Sequence, residues 1–474
     1  MKPMRPLISV SLALALAACA GGPPPDIATP APDLPATFLY AGEADTAGAV
    51  DSLLPEQDPA FAVLSEAAIA DAPSLAEAIA RVEAARAGAR GAGAARLPNI
   101  AADANVTGTR INPAQFGEGA SSFIETEQVS YGANLTATWD ADLFGRLKSQ
   151  ERAAIARIDS ASASAAAVRN SLIAEIAGSV IDWRVLAART DALTADTKAA
   201  MRLADLARTR EEAGIAPGFD RIRAEAAASA SRSALAALNS ERARIIGRLI
   251  TLTGQTGGEV AAALASDAAA FDLGPVPGTL PSDLLANRPD VLAAMAELAA
   301  TDADLAASAR ARFPSLNLSA IVGLLAFSPG DLFDEDSIVG TLAAGLAGPL
   351  LDFGRLDAEI DGAAANKKAA FAVYRGAVFQ ALGDAEAAYG LIAAADNEAA
   401  LAEKERAELD RAASIANSRY TAGLASFLEV LEARRAADAS GDRAAAAAGR
   451  AERARVLLWQ ALGGTPPRIE PNEG

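Results

Sequence analysis

No histidine occurs in the 474 residues, and cysteine occurs once, at Cys19. Zinc and haem sites draw on imidazole or clustered thiolates, so neither centre is expected, and no cofactor with them. The same lack removes Ser-His-Asp and Cys-His catalysis. Carboxylates alone could still move protons, yet the composition points away from an enzyme. Basic side chains are outnumbered, 42 against 60 acidic, for a net charge of −18. That balance disfavours nucleic acid as a partner, because neutralising phosphates takes a basic face. Proline is missing between Pro113 and Pro217 and again between Pro349 and Pro466. Alanine-rich sequence fills both gaps, in a chain that is 51% hydrophobic.

The amino terminus carries a largely apolar run. Met1-Lys-Pro-Met-Arg5 is a short basic start, followed by apolar sequence from Leu7 to Ala18. That is the pattern of a secretory signal, too short for a spanning helix. It ends in Leu16-Ala17-Ala18-Cys19, which resembles a bacterial lipobox, with cleavage before the cysteine and lipid on its sulfur. Cys19 is therefore the expected lipid attachment site; ordinary cleavage that leaves Cys19 free is the alternative. Ala20 in place of aspartate favours, by the same resemblance, the outer membrane. Loss of Lys2 and Arg5 with the leader leaves 40 basic against 60 acidic side chains. Gly21 to about Pro35 is rich in glycine and proline and reads as a tether.

A phrase occurs twice. Trp139-Asp-Ala-Asp-Leu-Phe-Gly-Arg-Leu147 and Gly348-Pro-Leu-Leu-Asp-Phe-Gly-Arg-Leu356 share Phe-Gly-Arg-Leu at an offset of 209. Ala213-Gly214-Ile215-Ala216 maps onto Ala422-Gly423-Leu424-Ala425 at the same offset. Leu252-Thr253-Gly254 and Leu462-Gly463-Gly464 follow one residue out of step. These markers identify an internal duplication.

Each copy of the phrase closes an alternating run. Val129, Tyr131, Ala133, Leu135, Ala137 and Trp139 alternate with Ser130, Gly132, Asn134, Thr136, Thr138 and Asp140. Ile100 to Thr107 alternates before it, with the hairpin loop expected at 113–125. Leu316, Leu318, Ala320, Val322 and Leu324 repeat the pattern after Arg312-Phe313-Pro314, the counterpart of Arg96-Leu97-Pro98. The acidic segment Gly330 to Ser337 reads as the second loop, and Leu342, Ala344 and Leu346 mark the returning strand. Period two places one set on each strand face. An apolar face backed by a polar one suits a transmembrane barrel, although a half-buried soluble sheet alternates similarly. Four strands close no barrel, and open edges do not persist in lipid, so a barrel here is shared between chains.

Behind each phrase runs helix-forming sequence with no proline, from Gly145 to Gly214 and from Gly354 to Gly423. Continuous helices of that length reach about 100 Å, beyond a globular domain and in the range of a coiled coil or helical barrel. Leu172, Ile176, Val180, Trp183 and Leu186 form one seam; Phe371, Tyr374, Val378, Leu382, Ala385, Tyr389 and Ile392 form the other. Gly214 and Gly423 turn the chain, and shorter helices return over about Phe219 to Thr253 and Phe427 to Ala461. Helices at about Leu75–Arg96 and Asp290–Ala311 would complete two composite rods. The division that follows is a signal peptide at 1–18, a lipid-anchored tether and extended segment at 19–70, and a first repeat at 71–254. A linker or equatorial segment at 255–287, a second repeat at 288–464 and a tail at 465–474 complete it.

With both phrases, Leu280-Pro-Ser-Asp-Leu-Leu-Ala-Asn-Arg-Pro-Asp-Val291, Ala309-Arg-Ala-Arg-Phe-Pro-Ser-Leu316 and the stretch Ser418 to Ala433, the chain resembles a TolC-family outer-membrane efflux protein of the NodT- or OprM-like lipoprotein branch. Asn287 stands where that family commonly has arginine, and Glu432 where it often has aspartate. The resemblance implies an α+β membrane protein: a homotrimer whose twelve-stranded transmembrane β-barrel, four strands per chain, continues into a long periplasmic α-helical barrel. It also implies an export duct in the outer membrane lipid. Its partners would be a periplasmic adaptor (membrane fusion) protein and an inner-membrane transporter of the RND type. A type I protein secretion duct and a purely structural coiled-coil lipoprotein stay open as alternatives.

Two sets of site residues follow. The turns at Gly214, Ala216, Gly423 and Ala425 are, by the resemblance, tips that dock the adaptor; turn geometry alone would also account for the glycines. Leu428 and Glu432 lie four apart on one helix face. Three copies would make an apolar and an acidic ring, two devices by which pores constrict and select. Arg419, Tyr420 and Arg435 are the candidate latches of this gate, against the plainer reading of a solvated helix face. The corresponding first-repeat positions are Phe219 and Arg223, so the charge pattern is not repeated.

Overall fold

The computed structural model describes residues 26–41, 50–112, 127–267, 276–279 and 281–464. The signal, Cys19, the hairpin loop expected at 113–125 and the carboxy-terminal tail lie outside the described residues. The helices are α1 (Pro59–Asp71), α2 (Pro73–Ala94), α3 (Arg146–Glu212), α4 (Gly218–Thr253), α5 (Gly257–Leu264), α6 (Asp283–Asn287), α7 (Pro289–Arg310), α8 (Arg355–Thr421) and α9 (Phe427–Ala461). The strands are β1 (Asn99–Arg110), β2 (Glu127–Asp140), β3 (Ser315–Ala326) and β4 (Ile338–Ala347). No described helix is long and apolar enough to cross a membrane. The chain forms two compact units, each described by itself.

The first unit comprises Val82–Ser160 and Ala294–Val373, with the chain up to Pro30. Its four strands form one antiparallel sheet in the order β1-β2-β3-β4. Register sorts the alternating residues across all four. Ile100, Ala137, Ala320 and Leu342 lie in one row, and Asp103, Asn134, Gly323 and Val339 in another. The first row belongs to an apolar face, and the second begins with polar groups, where Asn134 Nδ2 donates to Asp103 Oδ2 at 3.1 Å. Any side chain at Gly323 would meet Asn134 Oδ1 at 2.3 Å, so this crossing needs glycine. Every residue of β1 and of β4 is exposed, and both are sheet edges.

The repeated phrase is a strand-to-helix turn. Gly145 (φ 77°) and Gly354 (φ 88°) adopt the left-handed conformation that glycine takes without strain. An aspartate then caps each long helix. Asp142 accepts from the amides of Leu147 and Lys148 at 2.9 and 2.8 Å. Asp352 accepts from those of Leu356 and Gly354 at 2.9 and 3.2 Å. The Leu356 amide, foremost, holds the Asp352 carboxyl below its ordinary range. At the first turn, Phe144 stacks on Phe313 with ring centroids 4.8 Å apart.

The second unit comprises Ala31–Arg81, Ala161–Ala293 and Tyr374–Gly474. Leu64, Leu249, Leu264, Leu284 and Trp459 are buried in its main core. Most of the expected seam residues point into it. Leu172, Ile176 and Val180 are buried there, as are Val378, Ala385, Tyr389 and Ile392, while Trp183, Tyr374 and Leu382 pack against the cluster partly exposed. Leu186 is buried outside that cluster, and Phe371 belongs to the first unit. Gly449 of α9 lies so close to α3 that an added Cβ would meet Val185 Cγ2 at 2.4 Å. The stretch up to 70, expected as tether and extended chain, includes α1, capped by Asp58 and burying Phe61 and Leu64. Likewise 255–287 holds α5, which opens on a capping box between Thr256 and Glu259, and α6. Arg288 follows α6 and explains much of its motif. Its buried guanidinium pairs with Asp290 at 2.6 Å and Asp384 at 3.0 Å and donates to Ala461 O at 3.1 Å. Burial works to raise the Asp290 carboxyl, but the Arg288 bonds outweigh it and hold the group below its usual range.

Candidate functional site

Both long helices end in one and the same turn. The Ile215 amide donates to Arg210 O at 2.9 Å and the Gly214 amide to Glu211 O at 2.8 Å. Leu424 to Arg419 O, at 2.7 Å, and Gly423 to Tyr420 O, at 2.9 Å, repeat the pattern. These paired bonds need a left-handed residue at the helix end, and Gly214 (φ 71°) and Gly423 (φ 73°) supply it. The returning helices start differently. Ser426 and Glu429 form a capping box on α9, whereas Pro217 makes no side-chain cap for α4.

A small core lies between the turns. Ala207 of α3 and Ala224 and Ala227 of α4 pack against Tyr420 of α8 and Phe427, Val430 and Leu431 of α9. Tyr420 is 5% exposed, its ring edge-on to Phe427 at 6.0 Å. The Arg210 guanidinium covers that ring at 4.9 Å, an attraction between cation and π-face across the two helix pairs. Leu428 is 38% exposed. Together with the exposed Glu432 and Arg435 it forms the opposite side of α9. Tyr420 thus faces away from the other expected gate residues. Arg419 donates to Leu424 O of its own turn at 3.5 Å. Tyr420 also contacts the other helix pair through Arg210, a residue the sequence reading did not single out. Ala425 is partly buried against this core, Ala216 is half-buried, and Phe219 is exposed with Arg223 over its ring at 5.2 Å.

Further along the same helices, Arg434 of α9 bonds to Asp196 of α3 and lies 3.0 Å from Asp438 Oδ1. One guanidinium therefore faces two carboxylates, and Asp196 is 9% exposed. Burial, then the Asp196 carboxylate, push Asp438 up to about 7 against the pull of Arg434; Asp410 adds to the rise. Sequence offered no signal for this cluster, since Asp196 and Arg434 stand 238 residues apart.

An open sheet with one apolar and one polar face, joined to paired helices of 67 residues, has the fold of an outer-membrane channel subunit. The outer membrane efflux protein family matches residues 64–255 and 280–464, and the chain belongs to it. It is similar to the pyoverdine export outer membrane protein OpmQ of Pseudomonas aeruginosa, 29% identical over 97% of both chains. It is 27% identical to the toluene efflux pump outer membrane protein TtgI of Pseudomonas putida, over 93% of this chain and 94% of that one. The solved outer-membrane channel OprN superposes with a TM-score of 0.84 at 26% identity, covering 93% of this chain and 98% of its own. The protein accordingly resides in the outer membrane, with its large helical part in the periplasm.

Proposed function

We propose that the protein is the passive exit duct of a tripartite efflux pump, assembled as a homotrimer with a twelve-stranded barrel. The observation that carries this is the four-stranded sheet itself: sorted into an apolar and a polar face, yet open at both edges. A periplasmic adaptor would dock at the turns around Gly214, Ala216, Gly423 and Ala425. An inner-membrane transporter, of the RND type on family grounds, would supply energy and selection. The duct itself performs no covalent chemistry. Small-molecule cargo is favoured over polypeptide, because the relatives are named for pyoverdine export and toluene efflux. At rest, rings of Leu428 and Glu432 would narrow the periplasmic entrance, with the Arg210–Tyr420 contact holding the helix pairs together.

The test is deletion and complementation in the native host, read as accumulation of a fluorescent apolar dye, with native mass spectrometry of the purified protein. Dye accumulation on deletion, reversed by the gene, and a trimeric mass are expected. A monomeric mass, or unchanged accumulation alongside loss of a secreted polypeptide, would overturn the reading.

A further inference from the structure

The duplication governs strand register as well as sequence. Arg96-Leu97-Pro98 maps onto Arg312-Phe313-Pro314 at an offset of 216, which carries β1 onto β3, and the offset of 209 carries β2 onto β4. The two hairpins obey both offsets. Ile100 faces Ala137 in the first, and their counterparts Leu316 and Leu346 face each other in the second. Between the hairpins, β2 lies against β3 with Ala137 opposite Ala320 and Leu135 opposite Val322. The counterpart of that pairing would be β4 against β1, which are the two outer edges of one chain. Only a second copy can supply it.

Resting on the trimeric reading above, we infer that β4 of one copy pairs with β1 of the next in a single register, Leu346 opposite Ala104 and Ala344 opposite Val106, with Phe353 packed on Leu97 of that next copy. Three observations meet in this register. It sets apolar against apolar on one face and Ala343 against Thr107 on the other, whereas a slip of one residue would mix the faces. It also accommodates a proline. The Ala141 amide donates to Leu316 O at 2.9 Å, so by alternation Asp140 and Asn317 form a non-hydrogen-bonded pair. Pro349 is the counterpart of Asp140, so the ladder asks no N–H of it, and the Leu350 amide would meet Ile100 O as Ala141 meets Leu316. Finally, Phe144 stacks on Phe313 within the chain, while their counterparts Phe353 and Leu97 are 89% and 66% exposed. The adjacent copy covers them.

A slip of two residues would keep the faces matched, so the experiment separates those registers. A non-hydrogen-bonded antiparallel pair has Cα atoms about 4.5 Å apart, within disulfide reach. Full-length protein carrying Thr107→Cys is combined with Thr341→Cys, Ala343→Cys or Gly345→Cys and oxidised in outer-membrane fractions. Each single-cysteine variant serves as the control for bonding to Cys19. Thr107→Cys with Ala343→Cys should shift the monomer band to reducible dimer and trimer bands, and the other two pairs should leave it in place. Preferential crosslinking through position 341 or 345 overturns the register while leaving the trimer intact. So does a trimeric mass with no crosslink in any pair. A monomeric mass in all samples overturns the trimeric reading and this inference with it.

Discussion

Which way each side chain faces at the turns decides what a single substitution does. Leu428 and Glu432 occupy the exposed side of α9, while Phe427, Val430 and Leu431 fill the core. Truncating the exposed pair should change the pore and spare the packing, with stability moving by no more than about 0.5 kcal/mol. In planar bilayers, Leu428→Ala is expected to raise conductance and Glu432→Gln to weaken cation preference; unchanged values in both would put the constriction elsewhere. Tyr420 belongs to the other class. Tyr420→Phe keeps the ring under Arg210, whereas Tyr420→Ala should cost about 3 kcal/mol, as aromatic truncations in cores do. Faster amide exchange over 203–227 and 416–431 is the readout, and equal protection in the two variants would sink the assignment. Asp438 supplies a pH dependence. Its carboxyl is raised from 3.8 to about 7 in the folded chain, so the packed state favours the neutral acid. That stabilisation is complete below the unfolded value and is lost as pH rises through about 7. Ionised beside Asp196, the group should loosen α9 from α3. Exchange at 430–440, corrected for its intrinsic pH dependence, should therefore quicken as pH rises from about 4 to about 7 in the native protein and level off above that. Asp438→Asn should flatten the profile; a native profile already flat would refute the mechanism.

Helix ends and strand ends are where the elements acquire function. Gly423→Ala forces a side chain into a left-handed turn and should destabilise by about 1–2 kcal/mol, measurable as a lower unfolding midpoint. Ala216→Trp adds bulk at a half-buried position outside the tip core, whereas Ala425→Trp would also press on that core. Ala216→Trp is thus the sharper probe of docking. Pump-dependent resistance should disappear while trimers persist and adaptor crosslinking falls; resistance with normal crosslinking would move the docking site elsewhere. These elements were legible in sequence for local reasons. Strict alternation around Tyr131 and Leu318 reveals strands, freedom from proline over 67 residues reveals α3 and α8, and Gly214 and Gly423 reveal their ends. What escaped reading was non-local or compensated. Asp58 looks like tether, yet it caps α1 and pairs with Arg184, 126 residues away. Tyr420 and Leu428 are near neighbours in sequence but sit on different helices and face opposite ways, which only the packed tips reveal. The caps at Asp142 and Asp352 stand three and two residues ahead of their glycines, so a fixed offset conceals their equivalence.

At the scale of the whole molecule, attachment and assembly are separate matters. The sequence around Cys19 predicts a diacylglyceryl-modified, acylated amino terminus, which mass spectrometry of the mature protein would reveal. An unmodified start at another residue would remove the anchor. Cys19→Ser should lower the amount sorted to the outer membrane more than it lowers conductance per channel, because lipid-facing strands hold the barrel independently of the anchor. The exposed edges at β1 and β4 carry a different consequence. Unpaired backbone is not tolerated in hydrocarbon, so a lone subunit cannot insert ahead of its partners. Insertion and oligomerisation become a single event, steeply dependent on subunit supply. One copy with a spoiled edge then disables the two sound ones beside it. In a cell making equal amounts of sound and edge-defective chains, random mixing leaves about one closed ring in eight wholly sound. A mutation on either edge strand should therefore be genetically dominant.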